Sequence, residues 1–151
     1  MARTGLSHIM IAVDTNILVC AHRTDSLNHQ QARQTVLELA EGQAAWAIAW
    51  HCLAEFFNIV THPKIYAPPS TPAQAIAQIE AWMESPTLSV LSEMNMSWGN
   101  LKPLLLKTQV QGPKVFDARI AALCLEHGVT QLLTADRDFA SFPELVVKNP
   151  L

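Results

Sequence analysis

Two hydrophobic rhythms alternate along this chain. One is a short unbroken apolar run. The other is a longer stretch in which apolar residues return every three or four positions, the repeat of an amphipathic helix. The first run, Ile9 to Val13, ends abruptly at Asp14. Unbroken runs of this length suit strands covered on both faces of a parallel sheet. Trp46 to Ala49, Leu88 to Leu91, Gln131 to Ala135 and Leu145 to Val147 read the same way, the fourth closing at Asp136.

Helical patterns fill the intervals. Asn16 to His22 predicts a short helix. Asn28 to Glu41 predicts a longer one, with Ala32, Val36, Leu37, Leu39 and Ala40 apolar and Gly42 as its stop. His51 to Thr61 reads as a helix halted before Pro63. Thr71, Pro72 and Gln74 form a helix start with a capping box. That helix runs to Glu84, with Ile76, Ile79, Trp82 and Met83 on its apolar face. Asn100 to Val110 follows, with Pro103 placed in the first turn, where a missing N–H is tolerated. Val115 to His127 is the last, stopped by Gly128.

Strand and helix thus alternate from end to end. The expectation is an α/β domain, with a mostly parallel central sheet flanked by helices on both sides. Residues 9–151 read as one domain behind a loose extension, 1–8. No repeat or low-complexity tract interrupts it.

Composition narrows the classes. Half of the 151 residues are apolar, so a core can form without disulfides. Only 15% are charged and the net charge is −3, which argues against nucleic-acid binding through a broadly basic surface. An enzyme with a small basic rim stays open. The three cysteines, Cys20, Cys52 and Cys124, have no metal-site spacing and read as buried, reduced thiols suited to the cytoplasm. No apolar stretch is long enough to cross a membrane.

The few acids fall at telling places. In open α/β sheets, ligands bind beyond the carboxyl ends of the strands. Asp14 ends the first predicted strand and Asp136 the fourth. Glu55 lies on the helix after the second, and Asp117 near the start of the helix before the fourth. His51, Glu55, Asn58 and His62 share one helical stripe. Gathered carboxylates repel one another, and a divalent cation relieves that repulsion. Oxygen-only donors suit Mg²⁺ or Mn²⁺, which points to metal-assisted hydrolysis of a phosphodiester. Asp138 could replace Asp136 as the fourth acid. Lys64, Lys114, Arg119 and Arg137 could line a phosphate-contacting rim, or be solvated surface charges. The four tryptophans read as core or interface packing.

The motifs VDTNIL around Asp14, LAEF with Glu55, FDARIAA with Asp117 and LLTADRDF with Asp136 together resemble those of PIN-domain ribonucleases. The likeness extends from Ile9 to Leu151. AHR, VTHPKI and the closing FPELVVKNPL are similar to the toxin branch called VapC. The resemblance implies a PIN-like fold and Mg²⁺- or Mn²⁺-dependent cleavage of RNA. It implies Asp14, Glu55, Asp117 and Asp136 as catalytic and metal-holding acids, with Asn16 and Thr134 in support. It further implies a toxin–antitoxin pair with a VapB-like antitoxin, and a homodimer. Phe116 stands where many relatives carry a histidine before the acid. Two other readings compete: an idle RNA- or peptide-binding module on the same fold, and a metal-dependent phosphotransfer enzyme. For the latter, the second aspartate expected of a haloacid-dehalogenase-type phosphatase is Asn16 here.

Overall fold

The computed structural model describes residues 9–95, 97–137, 139 and 142–151. The extension 1–8 and Asp138 lie outside the described residues. Five strands, β1 (Met10–Val13), β2 (Ala45–Ala49), β3 (Leu88–Leu91), β4 (Gln131–Leu133) and β5 (Val146–Lys148), form one sheet in the order β3-β2-β1-β4-β5. Every pairing is parallel. Among the described residues, six α-helices connect them: α1 (Thr15–His22), α2 (His29–Glu41), α3 (Trp50–Val60), α4 (Pro72–Met83), α5 (Ser97–Thr108) and α6 (Val115–Glu126). The expected α/β architecture is therefore present.

Central strands carry the unbroken apolar runs. Trp46, Ala47 and Ile48 are fully buried, and Val13 and Leu132 nearly so. The edge strands β3 and β5 expose Val90 and Val146. Between β1 and β3, α1 packs on α2 and α3, and α3 on α4. The chain then returns across the sheet to β4 with α5 and α6, which pack on each other. Phe56 and Trp82 lock α3 to α4 edge-to-face at 4.9 Å.

Local signals act as expected at several ends. Thr71 caps α4 by accepting from the Gln74 N–H at 3.1 Å, while Gln74 Oε1 accepts from the Thr71 N–H at 2.9 Å. Gly128 follows α6 with φ +73, a left-handed conformation natural to glycine. Gly42 stops α2 for a different reason. Its backbone is extended, and an added Cβ would stand 2.7 Å from the Glu38 carbonyl oxygen.

Other expectations are corrected. Helix α5 begins at Ser97, three residues early, because Ser97 and Asn100 hydrogen-bond Glu126 on the neighbouring α6. Pro103 is consequently inside the helix and leaves the Gly99 carbonyl without its usual N–H donor. Ile76 and Met83 are 48% and 43% exposed, while Ala75 and Trp82 face the core. Trp46 and Trp82 are core residues, and Trp50 and Trp98, 59% and 63% exposed, leave the interface half of that expectation open. Cys20 is only half-buried. Among the described residues no helix is long and apolar enough to cross a membrane.

Candidate active site

The strand order reverses direction between β1 and β4. Connections from β1 lead toward β2, and those from β4 lead toward β5. Such a switch point opens a crevice at the carboxyl ends of the two strands. Val13 pairs with Leu133 there, which sets Asp14 beside Thr134.

Asp14 is 7% exposed. Its Oδ1 accepts from the Thr15 N–H at 2.8 Å, and its Oδ2 accepts from the Thr134 hydroxyl at 2.9 Å. Thr134 Oγ1 in turn accepts from Asn16 Nδ2 at 3.0 Å and from the Asp136 N–H at 3.0 Å. Asn16 Oδ1 accepts from the Ala135 N–H at 3.1 Å. The Thr134 hydroxyl therefore has both lone pairs occupied and directs its only proton at Asp14. This network also explains why β4 stops at Leu133 and not beside Asp136. The N–H groups of Ala135 and Asp136 bond to side chains instead of a neighbouring strand.

Burial pushes the Asp14 carboxyl above its ordinary range. The Thr134 and Thr15 bonds oppose that rise, and the negative charges of Glu55 and Asp136 add to it. Desolvation wins because two donors replace a full hydration shell. Glu55 stands exposed on α3, one turn from the half-buried His51. Cys52 donates weakly to Asp14 Oδ1 at 3.9 Å. Burial and the adjacent Asp14 charge push its thiol up to about 12, so it stays protonated.

Asp136 lines a cleft of about 460 Å³ with Arg137, Phe139, Phe142 and Asn149. Asp117, half-buried in the first turn of α6, lines a second cleft of about 370 Å³ with Gln109, Gln111, Lys114 and Phe142. Phe142 belongs to both walls, so the two clefts adjoin. Glu55 and Asp136 thus each add like charge at Asp14, while Asp117 lines the adjoining cleft. Arg119 forms a two-pronged ion pair with Glu93, and its charge reaches His51 and Cys52. Lys64 follows the far end of α3 and lines neither cleft.

The donor chemistry suits a hard divalent cation. Glu55 and Asp136 add negative charge at Asp14, and the buried Thr15 hydroxyl beside it has no hydrogen-bond partner among the described residues. Among those residues, no three His, Cys, Asp or Glu side chains are gathered closely enough to enclose an ion.

Sequence reasoning missed that Cys52 would donate to Asp14 and that Glu93 would pair with Arg119. Glu93 had a usable signal, since it lies just past the carboxyl end of β3. The other is set by tertiary contact alone.

A family model described as the PIN domain matches residues 11–145. Ribonuclease VapC43 of Mycobacterium tuberculosis is 32% identical over 142 residues, covering 94% of this chain and 96% of that protein. Among solved structures, VapBC2 from Rickettsia felis, bound to a DNA fragment from its promoter, aligns with a TM-score of 0.64 at 19% identity. That alignment covers 93% of this chain and 98% of the other. Mycobacterium tuberculosis VapC20, a sarcin-ricin loop cleaving toxin, aligns at 0.63 and 17%, covering 87% and 93%.

Proposed function

Because the chain belongs to the PIN-domain family, and within it to the VapC ribonucleases, we propose that it is a divalent-metal-dependent endoribonuclease and the toxin of a toxin–antitoxin pair. The observation that carries this reading is Asp14. It is a buried carboxylate held by two donors at the switch point, with Glu55 and Asp136 adding like charge.

Asp14, Asp117, Asp136 and Glu55 are the catalytic acids in this reading, and the same side chains would hold Mg²⁺ or Mn²⁺. When bound, such a cation lowers the pKa of a water and neutralises charge developing on the phosphate. Thr134 and Asn16 fix the Asp14 carboxylate, so its oxygens need not reorient during the reaction. Asp136 is tied to the same hydroxyl through its own N–H. Glu55, exposed on α3, adds its charge at Asp14. Lys114 and Arg137 line the two clefts and would contact RNA phosphates. Arg119 would do so only after leaving Glu93.

The Rickettsia felis structure is a VapBC pair. We infer a VapB-like antitoxin for this chain and a homodimer, for which exposed Trp50, Trp98 and Phe116 offer apolar surface. The free thiols suit the cytoplasm.

The test is cleavage of single-stranded RNA by purified protein in Mg²⁺ or Mn²⁺ and in excess chelator. The expected result is cutting with metal and none with chelator. Undiminished cutting in chelator would overturn the metal reading. RNA binding without cutting under every condition would favour the idle module.

A further inference from the structure

The cleft holding Asp117 has a feature that acid chemistry does not require. Helix α5 ends at Thr108, and Gln109 then adopts φ +53. Its N–H donates to the Leu105 carbonyl at 2.9 Å, closing the last turn. This is the left-handed position after a helix, where glycine fits without steric conflict and most side chains do not. Here a glutamine occupies it, and the residue lines the cleft beside Asp117. Three positions on, Gly112 has φ +59.

The same cleft contains Gln111 and Lys114. Both glutamines are solvent-exposed, and Gln111 does not cap the short 3₁₀ turn Gly112–Lys114 that follows it. Two exposed amides, a lysine and an acid therefore line one cleft of about 370 Å³, within the range of small-ligand sites, roughly 300–1,000 Å³. An amide offers a donor and an acceptor side by side, the pattern that matches a base edge and above all adenine. Single-stranded RNA presents such edges to proteins.

We propose that the Gln109–Gln111–Lys114 cleft is a nucleotide subsite, in which the Gln109 amide reads the base next to the cleaved phosphodiester and Lys114 holds a flanking phosphate. The subsite rests on the ribonuclease reading above. Phe142, shared with the Asp136 cleft, joins it to the other half of the site. The plain alternative is that Gln109 is a helix-ending residue whose amide is merely solvated. That alternative makes a definite prediction: glycine should serve as well there, or better.

The experiment uses the full chain, Mn²⁺ and a pool of single-stranded RNA oligonucleotides randomised around the cut. Wild type, Gln109→Gly, Gln109→Asn and Gln111→Ala are compared by sequencing the cut ends, by kcat and KM on one preferred oligonucleotide, and by thermal melting. Gln109→Gly should melt no lower than wild type. It should flatten base preference at one position by roughly 5- to 100-fold and raise KM, with kcat nearly unchanged. Gln109→Asn tolerates the left-handed backbone and keeps an amide, and should retain part of the preference. Gln111→Ala should weaken preference at the same position or its neighbour. Wild-type base preference in Gln109→Gly and Gln111→Ala, with cutting retained, would overturn the subsite alone. Absence of cutting by wild type would overturn the ribonuclease reading and the subsite with it.

Discussion

Asp14 and Asp117 are the same residue type in one proposed site, yet their surroundings are opposite. Asp14 is sealed behind β1 and β4, with both oxygens bonded to donors that have no other use. Asp117 sits half-buried on the first turn of α6, in an open cleft among amides and a lysine. The difference separates two tasks. A buried, fully bonded acid supplies fixed geometry, and its surroundings are tied to folding. An acid on a cleft wall, as proposed for Asp117, is placed to face substrate.

That contrast predicts different responses to the same change. Asp14→Asn should have the largest effect, lowering kcat by at least about 100-fold. It should also disturb the fold, because an amide cannot accept from both Thr15 N–H and the Thr134 hydroxyl. One donor is left facing an NH₂ group, a loss of about 1–3 kcal/mol, partly offset by removing a desolvated charge. The pH dependence has a definite sign. Since the folded pKa of Asp14 lies above 3.8, its contribution to stability is fully present below that value and is lost as pH rises through the folded pKa. Thermal melting in chelator should therefore show a decline across this window for wild type and a flatter curve for Asp14→Asn. A variant with wild-type cleavage would remove Asp14 from the chemistry.

Asp117→Asn should match that loss of activity but not the loss of stability. Its helix-terminus contribution is about 0.3–1 kcal/mol. A melting shift as large as that of Asp14→Asn would erase the contrast between the two acids.

Thr134→Val tests whether the buried half works as a unit. It removes the donor to Asp14 and the acceptor for Asn16 and the Asp136 N–H. We expect about 1–3 kcal/mol of destabilisation and a fall in kcat, with Thr134→Ser restoring most of both. If valine is tolerated in melting and kinetics, the network does not position Asp14.

The smallest effect belongs to Glu93→Gln. The Arg119–Glu93 pair is partly exposed, and such pairs contribute about 0–1 kcal/mol. Melting should barely move, while released Arg119 should tighten RNA binding at low salt. Weaker binding would show that Glu93 holds Arg119 in its useful position.

Much of this molecule is written in local pattern. Period and punctuation mark every strand and helix to within a few residues, because buried parallel strands need unbroken apolar runs and their crossover helices need one apolar face. The acids at strand ends are legible for the same reason, since a polar residue directly after a buried run must lie at the sheet edge. Resemblance of four motifs in order supplies the family. What only tertiary structure decides is which groups share a bond. No local pattern announces that Thr134 would give its only proton to Asp14, 120 positions away, while accepting from Asn16. None shows that Glu126 would draw the start of α5 back to Ser97, or that Glu93 would take the guanidinium of Arg119. Periodicity records whether a side chain faces in or out. Hydrogen bonds need direction and distance, and those are set only when the sheet places β1 beside β4.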